Sequence, residues 1–284
     1  MKTHGNKWRS RCPICGETLQ RSAETGVPFK QHWRIPFSPI ETVTVAGGYF
    51  NMLPMLKSDA VVYGFSICPK CESIFINPFD DGQTATYTRA VYPVERITDP
   101  DKMAGHRAQY DKHLRGHLVG RAGIRVFDAG CGIGQYLFFA AEDPGVDGAE
   151  YIGFELSQPA VDAINEAADK RQLSLLWAKQ YNLCLLGEDA EMQRKLGLFN
   201  FIIMSETFEH LDHPADVMKA LAQMLAPGGR IFYTAQAPEG GMAVRPAEPI
   251  YMSRIGQELL IEQTGLKLIS TVLEAGRWKT VLEK

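Results

Sequence analysis

The chain has 284 residues, 45% of them apolar, 10% aromatic and 22% charged, with a net charge of −3. That composition excludes a disordered chain, a collagen-like repeat and a pure coiled coil, and the length suits one to two domains with an ample core. No apolar run approaches the ~20 residues of a membrane helix, and Met1 to Ser10 is polar and basic, without the apolar stretch of a signal peptide. A cytoplasmic protein is the expectation.

Charge is unevenly placed. Residues 1–57 carry eight Lys/Arg against three Asp/Glu, a local +5, and the remainder carries −8. A basic front on an acidic body suits contact with nucleic acid, but so small an excess is more simply a solvated surface.

Four of the six cysteines form two pairs of one pattern, Cys12-Pro-Ile-Cys15 and Cys68-Pro-Lys-Cys71. Two residues between thiolates allow a tight turn that aims both sulfurs at one point, and two such turns make a tetrahedral S4 set suited to zinc. Disulfides and a redox CxxC are the alternatives; a reducing compartment opposes the first, and the second explains one pair only. Four matched thiolates leave no open position, so the zinc would be structural. The 52 residues between the pairs must loop out of the ribbon. They include the aromatic-rich stretch Val27 to Pro39, with Phe29, Trp33 and Phe37, which reads mainly as filling for a small domain. Ser73 to Pro78 reads as a short strand stopped by proline. Residues 80–105, with Tyr87, Tyr92 and Pro93, read as a connector, and His106 to Val119 as a helix with Tyr110, Leu114 and Leu118 on one stripe.

From residue 124, short apolar runs alternate with helical patterns, as in a doubly wound parallel sheet. Strand one, Ile124 to Phe127, leads into Asp128-Ala-Gly130-Cys131-Gly132-Ile-Gly134 and a helix opening at Gln135. Glycines alternate where a ligand must approach bare backbone at a helix N-terminus. Strand two, Tyr151 to Phe154, ends in Glu155, 21 residues after Gly134, placed to bind ribose hydroxyls. A dinucleotide loop calls for Gly or Ala where Gln135 stands, and Asp128 is ill placed beside a pyrophosphate. S-adenosylmethionine (SAM) has no phosphate, and its ammonium suits a nearby acid.

Four motifs in order, Val126 to Gly134, Gly153 to Ser157, Phe199 to Pro214 and Met224 to Phe232, make residues 106–284 resemble the class I SAM-dependent methyltransferases. The resemblance implies a seven-stranded, Rossmann-like α/β sheet whose final hairpin inserts one antiparallel strand. It also implies that Asp128, Gly130, Cys131 and Gly132 line the methionine end of SAM, that Glu155 holds the ribose and that Leu156 packs the adenine. Ser205, at the tip of strand four, belongs to the same set. Gln180 and Tyr181 stand where many relatives carry an acid at the adenine edge, and Asn200 replaces an Asp whose place is usually structural.

Methyl transfer is an in-line displacement; the protein aligns donor and acceptor, and a base is needed only when the acceptor must lose a proton. Glu206 and His210 lie four apart after strand four and would share one face of a helix, whereas Glu209 would point elsewhere. Both are candidate catalytic groups; the alternative is that His210 serves the fold or the cofactor pocket. The loop Thr234 to Ser253, with Gln236, Arg245, Glu248 and Tyr251, is a candidate for acceptor selection. Ser157 and Pro159 read as a helix cap and first-turn proline, and Cys184 as a lone thiol.

The expected organisation is a zinc-ribbon-like domain with an insertion over 1–85, a connector and lead-in helix over 86–120, and the methyltransferase domain over 121–284. The expected function is methyl transfer from SAM to a small metabolite or natural product, with structural zinc held by Cys12, Cys15, Cys68 and Cys71. Two alternatives remain: an rRNA or tRNA base methyltransferase that uses the basic front to bind RNA, and a non-catalytic SAM-binding or zinc-mediated interaction protein. No membrane association is expected, and the oligomeric state is open.

Overall fold

The computed structural model describes residues 10–18, 33–35, 42–45, 48–51, 63–76, 99–240 and 249–284. Phe29, Phe37, Tyr87, Tyr92, Pro93, Arg245 and Glu248 lie outside them, as does most of the basic front.

In the front region the strands are β1 (Trp33–Ile35), β2 (Thr42–Val45), β3 (Gly48–Asn51), β4 (Tyr63–Ile67) and β5 (Ile74–Ile76). The two Cys-Pro-x-Cys turns have the same local form. Gly16 N bonds Cys12 O at 3.0 Å and Glu72 N bonds Cys68 O at 2.8 Å, with left-handed φ at Gly16 (72°) and at Glu72 (58°). Glycine takes that conformation freely, whereas Glu72 takes it at a cost.

The large sheet consists of β6 (Ile124–Ala129), β7 (Gly148–Glu155), β8 (Leu176–Gln180), β9 (Phe199–Met204), β10 (Leu225–Gln236), β12 (Lys267–Glu274) and β13 (Arg277–Glu283). Its order is β12-β13-β10-β9-β6-β7-β8. Strands β8, β7, β6, β9 and β10 run parallel, and β13 is antiparallel to both its neighbours. The expected inserted strand is thus β13. Strand β10 starts before the Pro227-Gly228-Gly229 turn: Leu225 already pairs with Phe199, and the register breaks between Leu225 and Arg230.

Both faces of the central strands are buried, which is why they read as continuous apolar runs. Along β9, Phe199, Ile202 and Met204 enter one core and Phe201 and Ile203 the other. The second core is covered by α1 (Pro100–His113), α2 (Arg115–Leu118), α3 (Gln135–Glu142) and α4 (Gln158–Lys170). The first takes α6 (Pro214–Gln223) and α7 (Arg254–Thr264). A short α5 (Ala190–Leu196), unmarked in the sequence, precedes β9. Ser157 caps α4 by accepting from Ala160 N, as expected, and α7 ends on Gly265 in left-handed φ. The lead-in helix starts earlier than the sequence suggests, at Pro100 inside the expected connector, and breaks at Leu114 before α2. Its docking is polar as well as apolar: Asp143, nearly buried, receives Arg115 Nε at 2.7 Å and Tyr110 Oη at 3.2 Å.

Asn200 takes a structural place, its Oδ1 accepting from Arg125 N at 2.9 Å. Two residues, Ile250–Tyr251, form β11, which pairs antiparallel with β5. The end of the loop after β10 thereby joins the sheet β1-β4-β5-β11 of the cysteine region. Among the described residues, no helix is long and apolar enough to cross a membrane.

Candidate cofactor site and cysteine cluster

Chain order reverses between β6 and β9, so the loops leaving their C-terminal ends part and open a crevice, the usual ligand position in such sheets. A cavity of about 330 Å³ lies there. One side is the glycine turn, where Gly130, Gly132 and Gly134 have φ of 84°, 58° and 74°. A Cβ on Gly130 would sit 2.3 Å from Thr207 Oγ1, whereas one on Gly132 would meet nothing within 4 Å. The first glycine lets two loops touch; the second leaves bare backbone facing the cavity.

Glu155 ends β7 at the rim, 5% exposed. Its Oε2 accepts from Gly132 N at 3.0 Å, and Oε1 from Leu156 N at 2.8 Å and Ser157 N at 3.0 Å. Asp128 lies below the turn, 1% exposed, with no hydrogen-bond partner for Oδ2 among the described residues. Burial, and secondarily the Glu155 charge, pushes its carboxyl up to about 8. The buried Gln135 Oε1 also has no partner among the described residues. Gln135 lines the cavity, whereas Asp128 lies beneath the turn and is not part of the lining; a buried carboxyl so near the turn favours a ligand that brings donors and positive charge, as the SAM ammonium does. The residues therefore fit that cofactor.

The opposite rim holds Leu156, Tyr181 and Asn182. Tyr181 packs on Phe154 with centroids 4.8 Å apart, and its hydroxyl donates to Asp189 Oδ2 at 3.0 Å, so the ring rather than the hydroxyl serves the cavity. Gln180 does not line it: the side chain is exposed, with Nε2 donating to Leu156 O at 3.0 Å. Alternation along β8 turns Gln180 away while the next residue turns in. Cys131 lines the cavity beside Gly153, whose Cβ would lie 2.7 Å from Cys131 Sγ, and burial raises its thiol well above the usual range.

The third wall is Ser205 to Leu211. The expected helical face linking Glu206 and His210 is absent. Glu206 has φ of 54°, its amide donates to Thr234 Oγ1 at 2.7 Å, and only a 3-10 turn, Phe208–His210, follows. A left-handed φ at Glu206 is incompatible with a right-handed helix, and the turn that follows is too short to stack the two side chains, so the four-residue spacing loses its meaning. Both side chains nevertheless line the cavity, and Glu206 lies 3.6 Å from the Arg277 guanidinium. Glu209 turns into the core, 1% exposed, accepting from Gln236 Nε2 at 3.2 Å. Sequence reasoning missed His106 and Tyr136, which meet edge to face at 6.3 Å and both line the cavity. Gln135 could have been found from its place after Gly134; His106 comes from a helix far upstream and carries no local signal.

The Sγ atoms of Cys12, Cys15, Cys68 and Cys71 all lie within 4.8 Å of one another. Cys12–Cys71 and Cys15–Cys68 are each 3.5 Å apart, and all four are free thiols. Tetrahedral zinc with Zn–S of ~2.3 Å places sulfurs about 3.8 Å apart, so the cluster fits that ion.

Residues 103–270 match the family described as "Methyltransferase domain". The ubiquinone biosynthesis O-methyltransferase of Acinetobacter baylyi is 27% identical over 118 residues, covering 42% of this chain and 46% of that protein. Its Ralstonia nicotianae namesake is 33% identical over 113 residues, covering 40% and 43%. The chain thus aligns with less than half the length of these curated relatives. Among solved structures, an S-adenosylmethionine dependent methyltransferase from Mesorhizobium loti aligns at TM-score 0.50 and 15% identity, covering 62% of this chain and 98% of that one. The [4+2]-cyclase SpnF aligns at 0.50 and 15%, covering 72% and 90%. At such identities the likeness is one of fold. The family match spans more than half of the chain, and the sheet order, the glycine turn and the acid at the tip of β7 agree with it: the chain belongs to the methyltransferase domain family.

Proposed function

We propose that the protein is a SAM-dependent methyltransferase acting on a small-molecule acceptor, with a structural zinc in its cysteine cluster. The observation that carries the cofactor assignment is the glycine turn at the switch point of the sheet, with Glu155 and Gln135 lining the cavity and the buried Asp128 carboxyl beneath the turn. The small-molecule assignment draws support from the relatives named as O-methyltransferases of ubiquinone biosynthesis.

When bound, SAM supplies an activated methyl group on sulfur. The chain's own residues bind and orient. Asp128 holds the ammonium end, Gly130 and Gly132 with Cys131 admit the methionine part against backbone, Glu155 takes the ribose hydroxyls, and Leu156 and Tyr181 flank the base. Ser205 begins the third wall of the cavity. An acceptor entering past His106, Glu206 and His210 meets two imidazoles and a carboxylate. His210 is suited to hold a proton from an acceptor hydroxyl, since an imidazole titrates near neutral pH. Glu206, tied to Arg277, acts on acceptor orientation. Zinc would add no chemistry here, because four thiolates close its coordination shell.

The test follows S-adenosylhomocysteine release from SAM in the presence of a small-molecule extract freed of nucleic acid, and separately of purified total RNA. Release with the extract supports the proposal. Release with RNA alone moves the assignment to the RNA-modifying alternative, and tight SAM binding without release on either moves it to a non-catalytic one. The SpnF alignment shows that this fold also carries other chemistry.

A further inference from the structure

The cysteine cluster is joined to the cavity wall by a short series of buried contacts through β11. Both Cys-Pro-x-Cys turns touch α7. Ile14 O accepts from Gln263 Nε2 at 3.2 Å, and Ser253 Oγ bonds to Cys71 O in the second turn. Ser253 is 3% exposed; its amide also donates to Ser73 Oγ at 3.2 Å, and its Oγ accepts from Gly256 N at 2.9 Å to cap α7. The fit is close, since a Cβ on Gly256 would lie 2.2 Å from Ser73 Oγ.

One residue earlier, Met252 N donates to Gln236 O at 2.7 Å, and Trp278 Nε1 donates to Met252 O at 2.8 Å. Gln236 is fully buried, and its Nε2 donates to Glu209 Oε1, the neighbour of His210 in the cavity wall. Two residues before Gln236, Thr234 holds the amide of Glu206. The end of β10 therefore fixes both halves of the 205–211 wall, and the cysteine-bearing sheet fixes the end of β10 through β11.

We propose that the cysteine cluster positions the acceptor wall of the cavity, and that Gln236 is the positioning residue through which it acts. A closed S4 ion, as proposed above, makes the two turns one rigid body. That body presents the Cys71 carbonyl and Ser73 hydroxyl that hold Ser253, and Met252 and Gln236 carry the constraint to Glu209 and His210. The glycine turn meets the wall at one point, where Thr207 Oγ1 donates to Gly130 O at 3.2 Å, and neither it nor Glu155 contacts β11 or the cysteine turns, so the cofactor half of the cavity is expected to keep its geometry when the cluster is loosened. Such coupling is a statement about free energy and needs direct measurement.

The experiment is hydrogen exchange by mass spectrometry on the full chain, with no acceptor and no turnover, so that absence of methyl transfer leaves it interpretable. The as-purified protein is compared before and after stripping the metal with EDTA. Exchange at 206–211 and 250–256 is expected to rise by about tenfold or more while 130–134 stays unchanged. In Gln236→Met the stripped protein is expected to loosen at 250–256 without the additional rise at 206–211. If stripping unfolds the chain, or the purified protein holds no metal, Ser253→Ala is compared with Ser253→Thr. The first is expected to loosen 206–211, and the second to restore wild-type exchange there. Loosening confined to the cysteine turns and 250–256, or an equal rise at 130–134, overturns the proposal.

Discussion

Glu155 Oε2 accepts from Gly132 N at 3.0 Å, so the carboxylate at the tip of β7 braces the glycine turn that follows β6. Its other oxygen takes the amides of Leu156 and Ser157. The side chain thus has two tasks: it holds the turn, and it offers acceptors to a ribose. Glu155→Ala removes three hydrogen bonds to a charged group, each worth about 1.5–3 kcal/mol in general. Weaker SAM binding by at least about tenfold, with a lowered melting temperature, is expected. Glu155→Gln should retain more of both. Calorimetry and thermal unfolding check this, and an unchanged SAM affinity in Glu155→Ala removes the residue from the cofactor site.

Gly130 and Gly132 have different expected failures. Alanine at Gly130 combines left-handed φ with a contact of 2.3 Å to Thr207 Oγ1, so Gly130→Ala should destabilise the fold itself. Alanine at Gly132 meets no atom, so the fold should lose only the conformational strain of about 1–2 kcal/mol while SAM binding falls sharply. Denaturant unfolding and SAM titration of the two variants separate these outcomes. Equal stability losses would show that the Gly132 side of the turn is not free for a ligand.

Asp128 makes SAM binding depend on pH. With its carboxyl pushed up to about 8, mainly by burial, the group is protonated at neutral pH in the free protein. A ligand ammonium at Oδ2 favours the carboxylate and lowers that value, so binding expels a proton. Affinity should therefore rise with pH below about 8, by up to about tenfold per unit, and level off above it. Calorimetry in buffers of differing ionisation enthalpy reads the released proton directly. Asp128→Asn should abolish both effects, and a flat wild-type profile from pH 6 to 8 refutes the assignment.

His117 links stability to pH through the docking of α2. It stacks on Phe201 with centroids 5.9 Å apart, and its Nδ1 lies 2.9 Å from Arg230 Nη1, an arrangement that requires Nδ1 to accept. Burial first, then the charges of Arg230 and Arg121, lowers its pKa. The unfolded chain then binds the proton more readily than the folded one. Its contribution is complete above the ordinary histidine value of ~6.5 and is lost as pH falls from there through the lowered folded value. Urea unfolding at pH 7.5 and 5.5 should show a larger loss for wild type than for His117→Phe, which keeps the stack but cannot take a proton. Equal losses would place the pH response elsewhere.

Residues close in sequence disclosed their own arrangement. The glycine turn, the acid 21 residues on, the doubled Cys-Pro-x-Cys and the caps Ser157 and Gly265 each depend on local backbone geometry, which spacing encodes directly. The seven-stranded sheet and its inserted antiparallel strand followed from the family resemblance that the four motifs carry. Tertiary structure alone decided the rest. Glu206 and His210 are four apart, yet Glu206 sits in left-handed φ with its amide held by Thr234 on another strand, and only a 3-10 turn follows in place of the helix that the spacing suggested. His106 enters the cavity from α1, and β11 leaves the methyltransferase loop to pair with β5. These outcomes rest on hydrogen bonds and packing between segments far apart in the chain. No periodicity records such contacts, because they exist only once the sheet has brought the segments together.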